Sequence, residues 1–117
     1  MGLREGSLGR EGRGRLLLVT NAQGMEYEIR SHLAGVELEI TVLSTQQARH
    51  EVFRVPADVI LVHEPQDGSG PELVSFLVTE SPGSMIIYLA ESRDFVTLRE
   101  VQRAGVADVV VIPDEEP

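Results

Sequence analysis

The sequence predicts an α/β fold in three layers, with a five-stranded parallel sheet between two layers of helices. Three observations lead to this class. Short runs of aliphatic and β-branched residues, which are typical of strands, recur five times. Segments with apolar stripes or capping residues, which are typical of helices, lie between these runs. Turn residues separate the strand segments from the helical segments. Strands that alternate with helices in this way are joined by right-handed crossovers, which makes the sheet parallel.

The predicted strands differ in how deeply they are buried. The stretch from Pro56 to Pro65 contains an uninterrupted apolar run at residues 59–62, which is typical of a strand buried on both faces. Residues 38–43 alternate in polarity, which indicates a strand at or near the edge of the sheet. The remaining three strands are predicted at residues 15–20, 85–89 and 108–113.

The first two helices are predicted from apolar spacing and capping residues. Met25, Ile29 and Leu33 recur every four residues and form one stripe on a helix that ends near Gly35. Ser44 or Thr45 caps the second helix, which Pro56 ends. Its apolar positions are Ala48, Val52 and Phe53.

The third and fourth helices follow the central and fourth strands. Pro71 suits the first position of the third helix, and Gly105 suits the left-handed residue that ends the fourth, for which Ser92 is the predicted cap. The predicted inward residues are Leu73, Val74, Phe76 and Leu77 on the third helix and Phe95, Leu98 and Val101 on the fourth. The loop lengths fit a flavodoxin-like sheet of order 2-1-3-4-5.

Composition excludes several function classes. The 117 residues carry a formal charge of -9, so the folded part is expected to repel phosphate backbones and not to bind nucleic acid. The chain has no cysteine, which excludes disulfides and thiol chemistry. No apolar run has membrane-spanning length and no signal core is present, so a cytoplasmic protein is expected. Residues 1–14 are interpreted as a flexible leader and residues 15–117 as one domain.

The sequence resembles a known family across residues 15–114, and two segments carry most of the resemblance. Residues 56–62 (PADVILV) look like the third strand of the CheY-like response-regulator receivers, and residues 103–110 (RAGVADVV) look like the exit of their fourth helix and the start of their fifth strand. Ile112-Pro113 falls where the family has a Lys-Pro pair. The resemblance implies a flavodoxin-like receiver, a fold that accepts a phosphoryl group on an aspartate beside Mg²⁺.

Matched residue by residue, the resemblance places different residue types at every catalytic position. His63 stands at the phosphoacceptor position, and Thr20 and Asn21 stand where an acidic pair would hold Mg²⁺. Leu89 replaces the hydroxyl after the fourth strand and Ile112 replaces the lysine. The chain contains no lysine at all. The resemblance therefore implies a degenerate receiver with no catalytic residues, no resident metal and no cofactor, with Mg²⁺ disfavoured as a ligand.

Other roles for the residues near the strand ends remain open. His63 is a candidate phosphohistidine or metal ligand, although a hydrogen-bonded structural histidine is favoured. Glu64, Asp67 and Glu91 are a candidate Mg²⁺ patch, although solvated loop carboxylates are favoured. Gly24 is a candidate for close approach of an anion to the first helix, although turn chemistry explains it. Hydrolytic catalysis is set aside because no nucleophile, base and orienting residue come together in the sequence.

The expected function is a signalling or localisation module in a larger protein, acting through self-association or partner docking on the fourth-helix and fifth-strand face. The ending Val109–Asp114 is similar to the CpaE/TadZ group of pilus-assembly and localisation proteins, in which such a domain precedes a ParA/MinD-like ATPase. Asp114–Pro117 are interpreted as the acidic first turn of a fifth helix, which is predicted to be missing or truncated. Tyr88 is interpreted as a core or interface residue. The alternatives are a phosphorelay receiver that still takes a phosphoryl group and a small-ligand sensor.

Overall fold

The computed structural model describes residues 14–112, which alternate strand and helix throughout. The strands are β1 (Gly14–Val19), β2 (Leu38–Leu43), β3 (Val59–His63), β4 (Met85–Ala90) and β5 (Asp108–Val111). The helices are α1 (Gln23–His32), α2 (Thr45–Glu51), α3 (Gly70–Glu80) and α4 (Phe95–Ala104), with a 3₁₀ turn at Val52–Arg54.

The five strands form one parallel sheet in the order β2-β1-β3-β4-β5, which confirms the predicted topology. The strand at the centre is β3, and Ile60 to His63 are buried on both of its faces. The alternating strand β2 lies at one edge, as its pattern predicts. Consecutive strands therefore end along one edge of the sheet, where the loops after β1, β3 and β4 meet.

Each face of the sheet carries its own apolar core. On one face, α2, α3 and α4 contribute buried residues such as Ala48, Leu77 and Val101. On the other face, α1 contributes Met25, with Ile29 and Leu33 partly buried beside it. The predicted stripe of α1 is confirmed, and the domain has the three layers expected of this class.

Within residues 14–112, only part of the second face is covered by a helix. Registered side chains in one row across this face are Leu18, Leu61, Ile87 and Asp108, and exposure rises along the row from β1 to β5. Leu18 is fully buried, whereas Met85 on β4 and Val110 on β5 are 53% and 45% exposed. We call the apolar residues over β4 and β5 the open sheet face. Its members are Met85, Ile87, Val110 and Ile112.

Two of the predicted helix ends are confirmed, one is off by one residue and one is wrong. Ser44 caps α2, and Gly105 ends α4 in the left-handed region at φ +112°. Pro71 is the second residue of α3, which begins at Gly70. The cap of α4 is Asp94, not Ser92, because the Asp94 carboxylate accepts the backbone N–H of Val96. Ser92 lies two residues earlier, where its hydroxyl accepts the N–H of Asp94.

The inward stripe predicted for α4 is also wrong at its first residue. Val101 is fully buried and Leu98 is partly buried, but Phe95 is 68% exposed. A spacing of three residues falls short of the 3.6 residues of a helical turn, so the stripe drifts by about 60° at each step. Two steps from Val101 carry Phe95 out of the core and into solvent.

The inner face of α3 largely follows the prediction. Leu73, Val74 and Leu77 are fully buried, and Phe76 is partly buried with the Arg49 guanidinium 6.0 Å from its ring centroid. In α2, Ala48 and Val52 are buried as predicted, although Val52 already belongs to the 3₁₀ turn.

Some predictions fall on parts of the chain outside the description. The leader, apart from Gly14 at the start of β1, lies outside the described residues, as do Asp114–Pro117 and the side chain of Phe53. Within residues 14–112, the longest helix has 11 residues, and none is long and apolar enough to cross a bilayer.

A capping box fixes the start of α2, and its loss should be measurable. The Ser44 hydroxyl accepts the Gln47 N–H at 3.1 Å, while the Gln47 side chain accepts the Ser44 N–H at 2.8 Å. We expect Ser44→Ala to lower the free energy of unfolding by about 1 kcal/mol. Urea unfolding measures this, with Ser44→Thr as the control that keeps a hydroxyl. Equal losses in both variants would contradict a role for the cap.

Candidate functional site

A buried histidine joins the ends of three strands. His63 ends β3 and is only 7% exposed. Its Nδ1 lies 2.7 Å from the Thr20 hydroxyl, directly after β1, and its Nε2 lies 2.5 Å from a Glu91 carboxylate oxygen, directly after β4. The loops that follow β1, β3 and β4 are thereby held together by one imidazole.

The Glu91 carboxylate assigns the proton of the neutral imidazole. A carboxylate only accepts hydrogen bonds, so the ring proton lies on Nε2 and points at Glu91. Nδ1 then accepts the Thr20 hydroxyl, whose oxygen also accepts the Ala22 N–H at 3.0 Å. Both ring nitrogens are then engaged, and His63 offers no free nitrogen to a phosphoryl group or a metal ion.

Glu64 anchors the loop that follows β4. One of its carboxylate oxygens accepts the backbone N–H of Glu91 at 2.6 Å and that of Ser92 at 3.3 Å. Hydrogen bonds from backbone N–H groups satisfy a carboxylate strongly. Glu64 therefore fixes the segment that carries Glu91 toward His63.

Asp67 stabilises its own loop. Its carboxylate accepts the Ser69 hydroxyl at 2.6 Å and the Ser69 N–H at 3.0 Å. The bond from the Ser69 hydroxyl, followed by the bond from its N–H, lowers the pKa of Asp67 below its usual value. This pair closes the turn before α3.

Asn21 connects the loop after β1 to the start of α2. Its amide oxygen accepts the Thr45 N–H at 3.0 Å, and its amide nitrogen donates to the Thr45 hydroxyl at 3.2 Å. The amide is thus committed to a loop contact.

The five residues predicted to stand at the catalytic positions of a receiver, Thr20, Asn21, His63, Leu89 and Ile112, lie along one edge of the sheet. Leu89 is the registered neighbour of His63, and the Ile112 N–H donates to Ala90 O at 2.8 Å. Side-chain hydrogen bonds join only one pair of the five, Thr20 with His63. Leu89 and Ile112 instead belong to the apolar core on the α1 side.

A cavity of about 280 Å³ lies beside the histidine. It is lined by Asn21, Ala22, His63, Glu64, Pro65, Gln66 and Asp67. Its acidic residues do not converge as the alternative Mg²⁺ patch requires. Within residues 14–112, no group of three or more histidine and carboxylate side chains is placed to hold a metal ion.

The contact between His63 and Glu91 was missed by sequence reasoning, as was the order of the three side chains. Thr20, His63 and Glu91 form a hydroxyl, imidazole and carboxylate chain, the kind of set that the sequence did not bring together. Thr20 is only 6% exposed and its oxygen already accepts the Ala22 N–H. The three hydrogen-bonded side chains therefore hold the strand ends together and do not present a nucleophile.

Tyr88 belongs to the core. Its side chain is fully buried, and a Cβ built on Gly70 would lie 2.0 Å from its hydroxyl oxygen. Burial, and secondarily the charge of Glu64, raises the pKa of Tyr88. Among the described residues, its hydroxyl has no hydrogen-bond partner.

Solved structures with the same architecture identify the fold. The signal receiver domain of an HD domain-containing protein from Pseudomonas fluorescens Pf-5 matches 85% of this chain and 75% of its own, with a TM-score of 0.76 at 16% identity. The chain has the receiver-domain fold. Receiver relatives at this identity establish the fold alone. No family model and no curated protein matches the sequence.

Two further receiver-fold structures differ in how much of them the chain covers. A putative CpaE2 pilus assembly protein from Sinorhizobium meliloti 1021 matches 86% of this chain and 89% of its own, with a TM-score of 0.68 at 16% identity. The RcsB response regulator of Salmonella typhimurium matches 85% of this chain, with a TM-score of 0.71 at 16% identity, but the chain spans about half of it, 52%.

Proposed function

We propose that this domain is a receiver that no longer takes a phosphoryl group and acts as a cytoplasmic protein-interaction module in signalling or localisation. The observation that carries the proposal is the state of the acceptor position. His63 stands there with one ring nitrogen on Thr20 and the other on Glu91. An imidazole that is buried and hydrogen-bonded at both ring nitrogens is a structural link. It holds the strand ends together at the position where a receiver would need an exposed carboxylate.

The surrounding residue types support the same proposal. Thr20 and Asn21 carry no carboxylate for a hard cation, and the Asn21 amide is committed to Thr45. The chain has no lysine to neutralise a phosphoryl oxygen, and Ile112 packs with the apolar core at that position. The scaffold is retained while the groups that stabilise phosphoryl transfer are replaced.

The proposed contact surface is the face formed by α4 and β5. Phe95 and Val96 on α4 are 68% and 62% exposed, and Val110 of β5 is 45% exposed on the opposite face of the sheet. Exposed apolar side chains of this size on a small domain support a role in partner contact. The putative CpaE2 pilus assembly protein shares this fold, and the resemblance of residues 109–114 to the CpaE/TadZ group supports a localisation role.

Intact mass and amide NMR test the proposal together. We expect no mass of an added phosphoryl group after treatment with acetyl phosphate and Mg²⁺. Titration with Mg²⁺ and then beryllofluoride should leave the amide resonances of Thr20, Asn21, His63, Glu64 and Leu89 in place. A receiver domain with an intact acidic pair serves as the positive control. A phosphoryl adduct or specific shifts at these residues would show that the domain is a chemical switch.

A second candidate is a small-ligand sensor, and the cavity beside His63 favours it. Its volume of about 280 Å³ and its amide, imidazole and carboxylate lining suit a small polar molecule. The same five amide resonances, followed during addition of a nucleotide and flavin panel, distinguish this role. Shifts confined to the cavity, with a rise in melting temperature, would favour the sensor over the interaction module.

A further inference from the structure

The two outer strands of the sheet leave one side of their backbone unpaired. β2 and β5 lie at the two ends of the strand order, and within residues 14–112 each has a hydrogen-bonded neighbour on one side only. The free side of such a strand presents N–H and C=O groups with which the strand of another molecule can pair. The groups that point outward from β5 therefore decide whether this edge is open to a second chain.

The pairing with β4 determines which N–H groups of β5 point outward. The Ile112 N–H donates to Ala90 O at 2.8 Å, toward the inside of the sheet. Alternate residues of a parallel strand direct their N–H groups to the same side, so the N–H of Val110 also points toward β4. The N–H groups of Val109 and Val111 therefore face the open edge.

A carboxylate closes one of these two outward groups. Asp108 begins β5 and is exposed, and its Oδ1 accepts the Val109 N–H at 2.8 Å. Among the described residues, none of the ion pairs involves Asp108. A second strand at this edge would have to displace the carboxylate from the N–H and take its charge out of water, and both changes are unfavourable.

The rest of the edge would favour pairing if this carboxylate were absent. Residues 109–112 are Val-Val-Val-Ile, which combine a high β propensity with no charge. Asp108 is the only charged residue in β5. Pro113 follows in the sequence and has no N–H to give to a partner strand. A charge on the strand and a proline after it are features with which natural proteins protect an edge.

The opposite edge of the sheet is protected in a similar way. The Thr20 N–H donates to Leu43 O, so alternate residues of β2 bond inward to β1 and the carbonyl of Ile40 faces outward. The Arg30 guanidinium on α1 donates to Ile40 O at 3.5 Å. At each edge, a charged side chain of the domain itself therefore contacts a backbone group that would otherwise be free.

We propose that Asp108 protects the β5 edge and prevents it from pairing with the β5 edge of a second copy of this chain. The carboxylate occupies the Val109 N–H and makes burial of the edge costly because its charge would lose water. The inference goes beyond the proposed function, because it concerns the backbone of β5 and not the side chains of the α4 and β5 face. It implies that the folded chain avoids extending its sheet into another molecule.

Sedimentation velocity of the whole chain tests the role of Asp108. We expect Asp108→Ala to lower the dissociation constant for self-association by about tenfold relative to the wild-type chain. Asp108→Asn keeps an acceptor oxygen and loses the charge, so it should associate less than Asp108→Ala. Amide hydrogen exchange locates the contact, because the Val111 N–H should exchange more slowly in the associated form of Asp108→Ala.

Glu28→Ala is the matched control for net charge. Glu28 is an exposed residue of α1, and its loss changes the formal charge of the chain by the same amount as the loss of Asp108. This variant should leave self-association unchanged, because Glu28 does not lie on a strand edge. Circular dichroism and thermal unfolding confirm that each variant keeps the fold, since both side chains are exposed.

Other results would overturn the inference. They are an Asp108→Ala variant that sediments like the wild-type chain, equal association of Asp108→Ala and Glu28→Ala, and equal association of Asp108→Ala and Asp108→Asn. Association of Asp108→Ala without slower exchange at Val111 would place the contact on another surface and would also overturn it. None of these results adds a phosphoryl group to the domain, so each is distinguishable from failure of the proposed function.

Discussion

Among substitutions that add a single methyl group to this domain, Gly70→Ala should cause the largest loss of stability. Gly70 begins α3 directly against the hydroxyl of Tyr88, and an added Cβ would lie 2.0 Å from that oxygen and 2.9 Å from the ring carbon that carries it. Tyr88 is fully buried in the central layers, so it has no solvent-filled space into which to move. We expect the free energy of unfolding to fall by about 2–3 kcal/mol, measured by urea unfolding.

Two comparisons isolate this contact. Gly24 lies in the first turn of α1 with no atom within 4 Å of an added Cβ, so Gly24→Ala should be neutral or stabilise by about 0.5–1 kcal/mol. Tyr88→Phe removes the hydroxyl, and in that background Gly70→Ala should cost less, because only the ring contacts remain. Equal losses in the presence and absence of the hydroxyl would contradict the proposed clash.

Thr20→Val should be the second most damaging of the substitutions considered. Valine has nearly the shape of threonine but leaves His63 Nδ1 and the Ala22 N–H without their shared partner. Because Thr20 and His63 are both buried, the lost bond to Nδ1 is poorly replaced by solvent, and we expect a loss of about 2 kcal/mol in unfolding free energy.

Thr20→Ser is the matched control, because it keeps the hydroxyl and loses only a methyl group. It should retain most of the stability and the ¹⁵N chemical shifts of the His63 ring. In Thr20→Val those ring shifts should change, since the hydrogen bond to Nδ1 is lost. Wild-type ring shifts in the valine variant would mean that Thr20 does not bind the imidazole.

The sheet could be predicted from the sequence because its signals are local and strong. An uninterrupted apolar run between Pro56 and Pro65 has few other interpretations. The edge strand β2 alternates because Leu38, Ile40 and Val42 pack in the core with α1, while Glu39 on its other face is exposed. The left-handed Gly105 and the capping Ser44 were recognisable for the same reason, since each depends on residues within one turn of the chain.

The site was harder to predict because its contacts join residues far apart in sequence. His63 and Glu91 are 28 residues apart, and nothing in either segment alone marks them as partners. A signal did exist: Leu89 is the registered neighbour of His63, and Glu91 follows it by two residues, which returns to the same face of the sheet. The exposure of Phe95 was missed for a different reason, since three-residue spacing imitates an inward stripe over only one turn.

The open sheet face makes the stability of this domain depend on its surroundings. Within the described residues, Met85 and Val110 are about half exposed on the same face of the sheet on which Leu18 is fully buried. Any polypeptide that covers them binds the folded chain and not the unfolded one, and at a hundredfold excess over its dissociation constant it would add about 2.7 kcal/mol by mass action. The melting temperature of this chain alone is therefore expected to be lower than that of the chain with such a polypeptide bound.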